Sequence, residues 1–286
     1  MLDYNFFEGT EKKLGIFPNY EKAGAGIDKN APKKRGIFLY FELLWRYLWK
    51  FIKANMLYVA VSLPILMIYH YLFLCVFGTV YGVDAELSLI NHSALAFTVL
   101  LAIFWGTGPV SCGFTHILRA MAREEHVWVS LDFFKRSKEG FKHGLVFLLV
   151  DILVFVISMM SLSVYGAYAE NKSGVFLIPM VVIIIGLVIY TAMHYFMYEF
   201  EITFENKLKE IYKNSFLMAI ATFPMILLTG GIICLLSYFI LGILPSAGVV
   251  IVAFLFFIGM MRFIIDFYSA RFIKKYFLKE IKESEK

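Results

Sequence analysis

Six apolar blocks run along this chain, near residues 56–78, 93–118, 145–167, 175–198, 215–240 and 248–264. Each comes close to the roughly 20 apolar residues needed to cross a hydrocarbon core. The pattern predicts an all-α fold, a polytopic membrane helical bundle of six transmembrane helices. The link LGILPSAG between the last two blocks is short enough to force a tight helical hairpin.

The polar segments between the blocks set the orientation. The segment up to Lys53 holds ten Lys/Arg, 119–143 holds six, 199–214 three, and the segment from Arg262 seven. Segments 79–92 and 241–247 hold none, and 168–174 holds only Lys172. Basic residues mark the cytoplasmic side, so both termini and the two long loops are expected there. Anionic lipid headgroups on that face account for the net charge of +5, and no nucleic acid is implied.

Four regions follow: a cytoplasmic arm over 1–35, an interfacial amphipathic helix over 36–54, a transmembrane domain over 55–265 and a basic cytoplasmic tail over 266–286. Within 36–54, Phe38, Phe41, Trp45, Leu48 and Ile52 recur at helical spacing, with Arg46, Lys50 and Lys53 elsewhere around the helix. The arm is rich in Gly, Pro and Lys and reads as irregular.

Composition narrows the class. Sixty per cent of residues are apolar and 17% charged, whereas a soluble domain carries about a quarter charged. The first fifty residues lack a short apolar core with a small-residue cleavage site, so no secretory leader is expected. Cys75, Cys112 and Cys234 lie inside separate apolar blocks and read as unpaired thiols.

A repeat is visible on the basic face. SLDFFKRSKEGFKHG precedes the third block and TFENKLKEIYKNS the fifth. Each opens on a hydroxyl residue suited to N-capping (Ser130, Thr203) with an acid two places on (Asp132, Glu205). WKFIKAN before the first block is a weaker echo. Three units are predicted, each a short amphipathic lead-in helix followed by a transmembrane hairpin.

The stretch GFTHILRAMAREEHVWVSLDFF, with Arg119, Glu125, His126, Asp132 and Phe133 in its pattern, resembles the YesL-like family of bacterial integral membrane proteins. The arm NYEK…KNAPKKRG and the segment WKFIKANMLYVAVSLPI carry the same resemblance, which extends over essentially the whole chain. It implies a bacterial plasma-membrane protein and a link to carbohydrate uptake, because family members often lie near genes for carbohydrate uptake and breakdown. It implies no biochemical activity.

Candidate chemistry is sparse. Glu124, Glu125 and His126, with His116 and His143, invite a metal, but adjacent ligands cannot share a helical face, and a polar turn is the better reading. No metal or cofactor is therefore expected. Asp151 lies about two turns inside the third block, where an ionisable group is costly and points to function or to a buried partner. His70 and His194 could join it. Arg262 and Asp266 read as a helix terminator and anchor. Gly106, Gly108 and Gly113 allow close backbone approach and Pro109 removes a hydrogen bond. Pro64 and Pro224 are expected to interrupt spans one and five. There is no GxSxG, Walker loop or HExxH, and Ser111 and Cys112 have no base nearby in sequence, so no enzyme is expected.

The leading expectation is a non-catalytic accessory or regulatory membrane protein. Its docking face would be Arg119, Arg123, Glu125, His126, Asp132 and Phe133, and its partner a sugar-uptake permease or a second copy of itself. The alternative is a small-solute transporter with its site near Pro64, Gly108, Pro109, Asp151 and Pro224.

Overall fold

The computed structural model describes residues 36–81, 92–171, 173–204 and 207–284. The arm over 1–35, together with Lys172 and Glu205, lies outside the described residues. The helices are α1 (Ile37–Arg46), α2 (Leu48–Tyr81), α3 (His92–Phe104), α4 (Pro109–Ala122), α5 (Val129–Glu139) and α6 (Phe141–Asn171). A 3₁₀ turn, Gly174–Phe176, leads into α7 (Leu177–Thr203), followed by α8 (Leu208–Ala221), α9 (Phe223–Ile243) and α10 (Ser246–Val252). A π turn, Ala253–Phe257, joins α10 to α11 (Ile258–Ser284). No strand occurs among the described residues.

The fold is an all-α polytopic bundle. Among the described residues, five segments are long and apolar enough to span a membrane: Leu48–Val76, Phe141–Glu170, Gly174–Thr203, Phe223–Ile243 and Ser246–Lys275. At the sixth expected span, α3 and α4 pass the same test only as a pair bent by 64° at the break, the geometry of a broken span or of a re-entrant loop. Short helices α1, α5 and α8 precede the long helices α2, α6 and α9, in keeping with the three lead-in helices read from the sequence. Their starts differ in detail. Neither Ser130 nor Thr203 caps a helix; instead Asp132 Oδ2 accepts from Trp128 N–H (2.8 Å) and Glu210 Oε2 from Lys207 N–H (3.1 Å). An acid reaching back to the first orphan amide does the work expected of the hydroxyl.

The prolines also differ from expectation. Pro64 sits inside an unbroken α2, and Pro224 opens α9, where a missing N–H costs nothing. Span five therefore starts at Phe223, and the residues before it belong to α8.

Lipid and core sort the helices. The outer halves of α6 and α7 expose Leu153, Ile157, Met160, Val181, Val182 and Val188, and α9 exposes Leu227, Leu228, Leu235 and Phe239. Such faces are uncovered only where hydrocarbon is the solvent. The inner half of α7, from Ala192 to Phe200, is almost wholly buried, and α4 packs against α2, α5, α6, α7 and α11. The core thus forms around the broken span.

Candidate functional site

The break in span two is built from glycines and held by side chains from other helices. Gly106 and Gly108 take φ of 80° and 62°, left-handed values that favour residues without a Cβ, and Pro109 starts α4. A Cβ on Gly108 would lie 2.7 Å from Gly144 O on α6, so the loop and α6 touch backbone to backbone. Gly113 does the same one turn on, against Phe133 of α5.

A helix broken at this depth frees backbone groups that lipid cannot satisfy. Here protein satisfies them. Tyr198 hydroxyl donates to Trp105 O (3.0 Å) and accepts from Gly108 N–H (3.2 Å). Tyr69 donates to Gly106 O (3.0 Å), and Thr107 N–H donates to Ser111 Oγ (2.7 Å). Thr107 hydroxyl donates to Tyr58 (3.1 Å), whose ring stacks on Phe114 at 4.2 Å.

Arg262 completes the cradle. It is 2% exposed, donates to Ile103 O (3.2 Å) and Thr115 Oγ1 (3.3 Å), and lies 4.9 Å over the Tyr198 ring. Asp266 Oδ1 is 3.9 Å from its Nε. The expected terminator and anchor is therefore a core group, since α11 continues through both residues and turns them towards the break. The tail from 266 accordingly begins as buried helix.

Below the break, Asp151 and His194 face one another with both side chains fully buried. Tyr190 hydroxyl donates to Asp151 Oδ1 (2.6 Å), and His194 Nε2 lies 2.9 Å from the same oxygen. His194 Nδ1 lies 3.1 Å from Tyr190 O, which can only accept, so Nδ1 carries a hydrogen. The Nε2 contact with Asp151 is close but lacks hydrogen-bond geometry. Asp151 Oδ2 has no hydrogen-bond partner among the described residues.

A second imidazole–carboxylate pair joins the same two helices. His143 Nδ1 on α6 lies 2.7 Å from Glu201 Oε2 on α7, beside a cavity of about 580 Å³ that Arg136, Glu139, Gly140 and Thr203 also line. Its polarity is reversed: the histidine is on α6 here and on α7 in the inner pair. Eight residues on α6 and seven on α7 separate the two rungs, about 10–12 Å at 1.5 Å per residue. Between the antiparallel helices lie Gly144, sealed against Gly108, and Phe147 with its ring edge towards Tyr198.

Glu199 is buried on another face of α7, turned towards Arg119 of α4. Neither of its oxygens has a hydrogen bond among the described residues, and Arg119 Nη1 lies 3.8 Å away. Arg119 also donates to Thr203 hydroxyl and to Ile202 O.

The residues expected to form a docking face are divided by the structure. Arg119 and Phe133 are buried and brace α4 against α7 and α5. Asp132 caps α5, and His126 is exposed with its ring edge on Trp128. Only Arg123 and Glu125 line an open cleft, about 440 Å³, together with Phe267, Ala270, Arg271 and Lys274. Glu124 beside them pairs with Arg46 at 2.7 Å. His70 is buried apart from Asp151 and His194, in a cavity of its own. Among the described residues no three His, Cys, Asp or Glu converge as a metal would require.

Glu199, Glu201, Tyr190, Tyr198, Tyr58 and Tyr69 were not singled out from the sequence. One signal was available: Tyr190, His194 and Tyr198 recur every four residues on one face of α7. In comparisons with known proteins, no family model, no curated protein and no solved structure matches this chain.

Proposed function

We propose that this chain is a multi-pass membrane carrier that moves a small polar solute together with protons, with its basic end in the cytoplasm. The supporting observation is the pair of imidazole–carboxylate rungs on α6 and α7, one beside a polar cavity and one fully buried beneath a broken span. Intramembrane ionisable groups are costly and characteristically mark proton or solute paths, and discontinuous helices form the sites of many transporters. A proton arriving at Asp151 by way of His143 would neutralise the inner carboxylate and weaken its hold on Tyr190 and His194. The helices around Gly108 and Gly144 would then be free to rearrange. On this reading the chain is no enzyme and needs no cofactor, because solute and proton cross unchanged.

The resemblance to YesL-like proteins makes carbohydrates the first solutes to try. The test uses purified protein in liposomes carrying an internal pH indicator and a panel of labelled sugars. Solute-dependent internal acidification is expected, falling at least tenfold in Asp151→Asn and clearly in Glu201→Gln. Monodisperse protein that moves neither protons nor any solute of the panel would overturn the proposal.

A second reading, an accessory or regulatory subunit of a sugar-uptake permease or a homo-oligomer, draws on the cleft of Arg123, Glu125, Arg271 and Lys274. Cross-linking in native membranes separates the two. A stoichiometric partner attached through this cleft and lost on charge reversal at Arg123 supports the accessory reading; recovery unaffected by the reversal removes it.

A further inference from the structure

At the far side of α2 from the ladder, the rod of α10 and α11 is interrupted by the π turn Ala253–Phe257. A π turn carries an extra residue and leaves carbonyls out of register, and such bulges are frequent at functional sites. Asn55 clamps this one. Its Nδ2 donates to Ala253 O (2.9 Å) and Phe254 O (2.7 Å), and its Oδ1 accepts from Gly259 N–H (2.7 Å). The turn is thus held open by a buried side chain from α2.

Beside the turn, a cavity of about 300 Å³ runs between α2, α3 and α10, lined by Val59, Leu63, Leu66, Met67, Val99 and Val249 among others. Val59 to His70 marks a length of about 16 Å along α2 at 1.5 Å per residue. The cavity is a half-open groove, with Leu63, Met67 and Val250 about half exposed; that volume over that length is roughly 5 Å across, the width of a single hydrocarbon chain, whose carbons pack 3.5–4.0 Å from their neighbours.

His70 closes one end. It is 4% exposed, and neither Nδ1 nor Nε2 has a hydrogen-bond partner among the described residues. The other polar side chain in the wall, Thr98, spends its hydroxyl on Ala94 O (2.7 Å). No charged side chain lines the cavity. A buried imidazole with both nitrogens idle is costly. His70 also lies about 25 Å along α2 from Lys53, near the depth of the opposite headgroup layer.

We propose that this cavity is a binding site for one neutral, single-chain amphiphile bearing a hydroxyl, such as a prenyl or long-chain fatty alcohol. The chain lies along α2 and its hydroxyl bonds the His70 imidazole. The inference is independent of solute or proton movement.

The experiment is native mass spectrometry and thermal melting of the delipidated full chain with a prenyl alcohol and with the hydrocarbon of the same skeleton. The alcohol is expected to be retained one per chain, at least tenfold more tightly than the hydrocarbon, and to raise the melting temperature. His70→Leu is expected to abolish the preference and His70→Gln to restore part of it. Leu66→Trp, which fills the groove, is expected to exclude both molecules. Equal retention of alcohol and hydrocarbon, or a preference unchanged in His70→Leu, would overturn the proposal, as would stabilisation that survives Leu66→Trp in folded protein.

Discussion

Single side chains carry the cost of keeping charge and polar backbone in this core. Arg262 serves two acceptors and a ring at once, so Arg262→Ala leaves Ile103 O and Thr115 without their donors and Asp266 without its cation. Breaking such an arrangement costs about 3–5 kcal/mol, read as a large fall in melting temperature in detergent. Lysine is not expected to rescue it, since one ammonium cannot reproduce the guanidinium fork. A melting temperature within a degree of the parent's would discard this account. Tyr212 is the opposite case. Its hydroxyl is buried without a hydrogen-bond partner among the described residues, and burial, then the Asp151 charge, pushes its phenol above the usual tyrosine range. A raised folded-state value means stability that is complete below the unfolded pKa and declines as pH rises above it. Tyr212→Phe is therefore expected to be neutral or stabilising at pH 7 and to lessen the loss of stability towards alkaline pH. Melting curves at pH 7 and pH 10.5 decide it.

At the scale of elements, the long apolar helices were legible because hydropathy is a sum over a window and needs no knowledge of partners. The break in span two was legible only as a cluster, GTGP. Its 64° bend depends on two positive φ angles and on Tyr58, Tyr69, Tyr198 and Arg262, which arrive from three other helices. Pro224 was misread for the same reason: a proline at a helix start and one inside a helix look alike in a string of letters. Asp151 and His194 each stood out as ionisable groups in hydrocarbon, but nothing local announces that they meet. Gly108→Ala places a Cβ against Gly144 O and forces an unfavourable φ, with an expected loss of about 1–3 kcal/mol. Gly186→Ala, which meets nothing within 4 Å, is the matched control and is expected to melt like the parent. Helix α1 and the start of α2 expose Phe41, Trp45 and Trp49. If this face lies in the interface, lipids brominated near the headgroup quench Trp45 and Trp49, while buried Trp105 is spared. Equal quenching of all three would contradict an interfacial α1.

For the whole molecule, the asymmetry of basic residues makes the orientation testable. In a background without cysteines, a single cysteine at exposed Trp128 is expected to react with an impermeant thiol reagent only from the inside of sealed cells' membranes. One at exposed Ser173 is expected to react only from the outside. Reaction of both from one side would abolish the proposed topology, and exchanged sides would reverse it. Half of the apolar window of the segment Ser246–Lys275 is buried, against 6% for Gly174–Thr203, so the most buried span is made after the broken one that it completes. On a ribosome the broken span is inserted long before Arg262 leaves the exit tunnel. Until then its freed carbonyls must borrow water or a chaperone, and a chain stalled short of α11 would present an unfinished break for membrane quality control to recognise.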